Sequence, residues 1–196
     1  MPGLYQNKYR SDSARHPTWD YSSQAAYFVT VCTKNRICWF GDVIDGEMHL
    51  SPIGVLVQTE WMKTPDMRPG MNLELGAFQV MPNHFHGILI IGGANDNDNV
   101  GDRDTTHCVP IPQFPSSSKR WPNQFGPQSN NLASIIRGVK SAVTTQVRKM
   151  DDRSTSDFAW QSRFHDHIIR DEASCQRISN YIIQNPSNWK SDKFHQ

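Results

Sequence analysis

The chain is sparing with cysteine and with long apolar runs. Its four cysteines, Cys32, Cys38, Cys108 and Cys175, include no C-x-x-C pair and no framework spacing. That argues against a zinc knuckle and for reduced thiols rather than disulfides. Apolar runs such as Ile88 to Ile91 are far too short to cross a bilayer, and no charged-then-apolar leader stands at the N-terminus. A cytoplasmic protein without a membrane partner is the expectation. Acidic residues are absent between Asp104 and Asp151, whereas Lys119, Arg120, Arg137, Lys140, Arg148 and Lys149 place six positive charges there. A stretch biased in this way is either a solvated helix face or a surface for a polyanion, of which nucleic acid is the commonest.

What is present suits one domain, since 196 residues can bury an adequate core without staples. Ala26 to Thr33, aromatic and β-branched, reads as a first strand. A short hairpin of Trp39-Phe40 and Met48 to Leu50 follows around Asp45-Gly46. Ser51 caps a helix that starts at Pro52 and runs towards Pro65. Asn72 to Met81 and His84 to Ile91 form an antiparallel pair turned by Pro82-Asn83. Residues 92–131, rich in Asn, Asp, Pro, Ser and Gly, read as a loop or insertion. Leu132, Ile135, Ile136, Val139, Val143 and Val147 recur at helical spacing, with Arg137, Lys140 and Arg148 on another face. Phe158 to Arg170 reads as a further strand, and Asp171 opens a last helix. The order strand, helix, strand, strand, helix, strand, helix predicts an α+β sandwich of the ferredoxin-like split βαβ type with an added C-terminal helix.

Two features of this layout carry chemistry. His84 and His86 flank Phe85 on one strand, so both imidazoles face the same way, roughly 7 Å apart, and can share a cation. A half-buried strand that happens to hold two histidines is the competing reading. Tyr181, the one tyrosine beyond residue 27, shares a helical face with Asn185 at i+4. The pair offers a hydroxyl and an amide oxygen. Alone, Tyr181 is equally a packed aromatic and Asn185 a helix terminus before Pro186.

Several short segments occur together in a fixed order: Asp20-Tyr21-Ser22, Ala26-Tyr27-Phe28-Val29-Thr30, Met81-Pro82-Asn83-His84-Phe85-His86-Gly87 and Phe125-Gly126-Pro127-Gln128. They continue with Ile136-Arg137-Gly138-Val139-Lys140-Ser141, Trp160-Gln161, His167-Ile168-Ile169-Arg170-Asp171-Glu172 and Tyr181-Ile182-Ile183-Gln184-Asn185-Pro186. In these the chain resembles the REP-associated tyrosine transposases, single-tyrosine members of the HUH transposases. The resemblance implies one domain over residues 1–190 followed by a tail, 191–196. It implies His84, His86 and Asn185 as ligands of a divalent metal, Mg²⁺ or Mn²⁺, with Gln184 the alternative third ligand, and Tyr181 as nucleophile. His165 and His167 are then phosphate contacts or structural residues. The implied substrate is single-stranded DNA with a REP-like hairpin, with Lys119, Arg120, Trp121, Arg137, Lys140 and Arg148 as candidate contacts. A monomer is favoured, a homodimer being the alternative.

The chemistry asks for such groups. A phosphodiester repels an anionic nucleophile, so its cleavage needs positive charge at the phosphate oxygens. A phenol, with pKa near 10, must be activated or lose its proton during attack. The reaction that the resemblance implies is cleavage and rejoining of a strand through a covalent 5′-phosphotyrosine. A repeat-DNA-binding protein without useful catalysis and an unrelated metallohydrolase are the alternatives.

Overall fold

The computed structural model describes residues 19–92, 129–150 and 155–195. Its elements are β1 (Ala25–Cys32), β2 (Gly41–Ile44), β3 (Glu47–Leu50), α1 (Pro52–Met62), β4 (Leu73–Met81), β5 (His84–Ile91), α2 (Leu132–Lys149), β6 (His165–Ile169) and α3 (Glu172–Gln184). Four strands form one antiparallel sheet in the order β4-β5-β1-β6, and β2 and β3 form a separate hairpin. With α1 between β1 and β4, and α2 between β5 and β6, this is the split βαβ arrangement expected from the element order.

The caps follow the local sequence. The Ser51 side chain accepts from the Gly54 amide with Pro52 at the first helical position, and Asn131 and Ser134 form a reciprocal capping box on α2. Asp171 accepts from the Ser174 amide to start α3. Asp45 and Gly46 both have positive φ (51° and 82°), the geometry a two-residue hairpin loop demands.

Alternation along the strands divides the interior between the two faces of the sheet. Tyr27, Val29, Val31, Phe85 and Leu89 pack with Ile53, Val57 and Trp61 of α1 and Leu132, Ile135, Val139 and Val143 of α2. Ala26, Ile88, Ile90 and Ile169 pack on the other face with Cys175 and Ile182 of α3. His84 and His86, two apart from Ile88 and Ile90, belong to this second face.

Two expected boundaries shift, both because aromatic burial overrides strand propensity. The strand expected over Phe158 to Arg170 contracts to His165–Ile169. Phe158 and Trp160 instead turn inward against Phe40, with ring centroids 6.2 and 5.4 Å away, and the Trp160 indole donates to the Lys140 carbonyl at 3.1 Å. Trp39 and Phe40 likewise precede β2, Phe40 being fully buried.

Gly87 faces the α1 side, where the buried Trp61 indole lies on it; an added Cβ would stand 2.7 Å from Trp61 Cζ2. Trp61 is fully enclosed and has nowhere to retreat. Gly87→Ala is therefore expected to lower unfolding free energy by about 1–3 kcal/mol, the usual range for overpacking, as measured by urea denaturation.

Candidate functional site

The short β4–β5 turn and the β1–β5 register build the site. Cys32 lies opposite His84 and Thr30 opposite His86, so both imidazoles stand on the α3 face of the sheet. Both are buried, and their Nε2 atoms approach to 3.0 Å. The sequence estimate of about 7 Å along the strand refers to the backbone; the rings lean together to a centroid distance of 4.5 Å.

Groups behind the rings set their tautomers. Asn83 Nδ2 donates to the Phe194 carbonyl at 2.9 Å, which turns Asn83 Oδ1 towards His84 Nδ1 at 2.8 Å. His84 Nδ1 must then carry the proton, leaving a lone pair on Nε2. His86 Nδ1 lies 2.9 Å from Thr30 Oγ1, a hydroxyl that can donate or accept. Without an ion, His86 Nε2 can donate to His84 Nε2. With an ion, Thr30 can accept from His86 Nδ1 and free the second lone pair.

Tyr181 projects from α3 over this pair. Its hydroxyl lies 3.3 Å from His86 Nε2 and donates to Asp192 Oδ2 at 3.4 Å, while its ring meets Phe28 edge-on at 6.2 Å. The side chain is 41% exposed, which leaves it approachable from solvent. Asn185, one turn on, is buried, whereas Gln184 is exposed. The Asn185 amide nitrogen donates to Asp192 Oδ2 at 2.9 Å, and its Oδ1 is buried without a hydrogen-bond partner.

Asp192 was absent from the sequence expectations, which assigned 191–196 to a tail. It is the only carboxylate after Glu172, a signal visible in the sequence but meaningless without knowing that the chain folds back. A 3-10 turn (Trp189–Ser191) brings it there, and Phe194 packs on His84 at a centroid distance of 4.5 Å. Among the described residues, ligand atoms of His84, His86 and Asp192 all lie within 4.8 Å of one another. Two imidazole nitrogens, a carboxylate and an orphaned amide oxygen fit a divalent cation.

The other expected contacts are dispersed. Lys140 Nζ is held on the carbonyls of Gln161 and Arg163 at 2.7 and 3.3 Å, and burial lowers its pKa to about 8. Arg137 and Arg148 are exposed on α2, in the layer opposite Tyr181. His165 and His167 pair with Thr30 and Phe28, exposed on the edge strand on the same face as His86. Lys119, Arg120 and Trp121 lie outside the described residues. No helix among the described residues is long and apolar enough to cross a membrane.

Burial sets the electrostatics. It lowers the pKa of His84 to about 3, helped by Arg36 and Lys193, and drives His86 well down, with His84 as the next cause. Both rings are therefore neutral and able to bind a cation. The Tyr181 phenol is pushed up to about 12, first by burial and then by the Asp192 charge.

No family model matches the chain. It is 33% identical to an uncharacterized protein of Haemophilus influenzae over 184 residues, 93% of this chain and 92% of that one. Its fold matches a REP-associated tyrosine transposase solved bound to a REP hairpin, with a TM-score of 0.55 and 20% identity over 94% of this chain and 77% of that one.

Two outcomes are expected from this geometry. Asn83→Ala, by releasing His84 Nδ1, weakens Mn²⁺ binding about 10- to 100-fold in calorimetric titration. In metal-free protein the unfolded histidines bind protons from about pH 6.5 downward but the folded ones do not. Stability is thus full above that pH and falls as pH drops towards 3, where His84 titrates. Each unit of that interval costs about 1.4 kcal/mol for His84, with His86 acting in the same direction, read from thermal midpoints across pH.

Proposed function

The chain belongs to the family of the Haemophilus influenzae protein and has the fold of a REP-associated tyrosine transposase, and from that premise we propose that it is a metal-dependent transposase of the single-tyrosine HUH class. It binds, cleaves and rejoins single-stranded DNA carrying a REP-like hairpin, through a covalent 5′-phosphotyrosine. The observation that carries this reading is the Tyr181 hydroxyl, 3.3 Å from His86 Nε2, at a pair of neutral, buried imidazoles whose Nε2 atoms converge.

His84 and His86 would hold a divalent ion through Nε2, and Asp192 and the unpartnered Asn185 Oδ1 would be its oxygen donors. Mg²⁺ and Mn²⁺ both accept such oxygens, and Mn²⁺ tolerates imidazole better. Such an ion, when bound, would supply positive charge to the scissile phosphate and offset the burial and the Asp192 charge that keep the phenol protonated.

The remaining work falls to the chain. Phe28 orients the Tyr181 ring, and Asp192 Oδ2, already accepting from the phenol, stands where it can take the proton. The tyrosine oxygen then bonds to phosphorus as the bond to the 3′-oxygen breaks. The departing 3′-oxygen takes up a proton and becomes a hydroxyl. The phosphodiester is exchanged rather than hydrolysed, so a 3′-hydroxyl can reverse the step and join a strand. A single chain carries all these groups, which supports a monomer.

The test is incubation with labelled hairpin-bearing single strands and Mn²⁺ or Mg²⁺, followed by denaturing electrophoresis. Wild type is expected to yield a denaturation-resistant protein-DNA adduct, absent in Tyr181→Phe and lost in His84→Ala. Cleavage that survives in Tyr181→Phe would exclude the nucleophile and favour a metallohydrolase. Binding without an adduct in either metal would leave a repeat-DNA-binding protein.

A further inference from the structure

We propose that the hollow where Arg68, in the α1–β4 connection, meets Arg137 of α2 is an anion subsite that takes one phosphate of a nucleic-acid backbone. It rests on the reading of the chain as a DNA-handling protein, but its geometry stands on its own. The hollow has a volume of about 580 Å³ and is lined by Arg68, Ser129, Asn130, Ser134, Arg137, Gly138 and Ser141. Among the described residues lining it, none is acidic.

The two cations are brought together by construction. Arg68 Nη2 donates to the Ser134 carbonyl at 3.1 Å. It can reach that carbonyl because residue 138 is glycine: a Cβ there would stand 2.5 Å from Nη2. Glycine inside a helix costs about 1 kcal/mol relative to alanine, so α2 gives up stability at the point where the guanidinium is seated. Arg137, the residue before Gly138, adds a second positive charge, and burial, followed by that charge, lowers the Arg68 pKa. Two forked cations lining one hollow beside serine and asparagine residues suit a phosphate, whose oxygens accept from guanidinium groups.

Its place in the fold separates it from the tyrosine. Val139 and Val143 of α2 enter the core with Val29 and Leu89, whereas Tyr181 lies on the α3 face with Phe28. A phosphate in this hollow is therefore not the scissile one. The subsite holds the nucleic acid by a distant part of its backbone and contributes affinity without reading bases.

The full-length chain tests this in two ways. Anisotropy of a labelled hairpin oligonucleotide is followed across salt concentration, and inorganic phosphate is titrated while the guanidinium Nε–Hε resonances of Arg68 and Arg137 are recorded. Arg137 is exposed, so Arg137→Gln is expected to fold. It should lower affinity uniformly across sequences and reduce the slope of log K against log salt by about one. Gly138→Ala, which displaces Arg68 while keeping both charges, should also weaken binding, and phosphate should shift both resonances in wild type. An unchanged slope in Arg137→Gln together with unmoved resonances overturns the subsite, even if wild type forms the Tyr181 adduct. Phosphate-responsive arginines and an Arg137-dependent slope without any adduct uphold the subsite and overturn the strand-transfer reading.

Discussion

The eight-residue antiparallel pairing of β1 with β5 is the constraint on which the rest depends. It sets Thr30 opposite His86 and Cys32 opposite His84, and it sends Phe85, Gly87 and Leu89 to the opposite face. A slip of one residue would turn both histidines into the α1–α2 core and move Phe85 and Leu89 to the α3 face. Gly87 and Trp61 reinforce the register, because only a residue without a side chain leaves the indole in place. The pairing that builds the larger core therefore also orients the two imidazoles.

Placing two imidazoles in contact inside a protein has an electrostatic consequence. Burial keeps them neutral, and the hydrogen bond from His84 to Asn83 leaves a lone pair aimed at its neighbour 3.0 Å away. Such an arrangement is poor at holding a proton and good at holding a metal ion. Tyr181 shows the complementary effect. Burial and the nearby Asp192 carboxylate raise its pKa to about 12, so the phenol is protected until positive charge arrives. Asp192 thus stabilises the protonated phenol, while Asn185 fixes the carboxylate through its amide.

Charge on the outside of the molecule is organised differently from what its distribution along the chain suggests. The basic stretch, read from the sequence as a solvated helix face or a polyanion surface, is divided by the fold among its described residues. Lys140 turns inward to bind the 161–163 segment and sits over the Trp160 ring at 5.9 Å. Arg137 instead meets Arg68, a residue nearly seventy positions earlier. Helical spacing placed Arg137 and Lys140 near one face, but neighbouring backbone carbonyls decided which ammonium or guanidinium remained at the surface.

Local rules written in the sequence determined the helix starts at Ser51, Asn131 and Asp171, the Asp45-Gly46 turn, the alternation along β5 and the shared face of Tyr181 and Asn185. These depend on side chains within a few residues of one another, where caps, turns and periodicity act. The same rules made the split βαβ order legible. Tertiary structure alone decided that Phe158 and Trp160 leave the strand for the core, that Asp192 reaches Tyr181, and that Arg68 rests on Gly138. Each of these is a contact across the chain, settled by which surfaces can be buried and which charges can be partnered, and no local pattern encodes that choice.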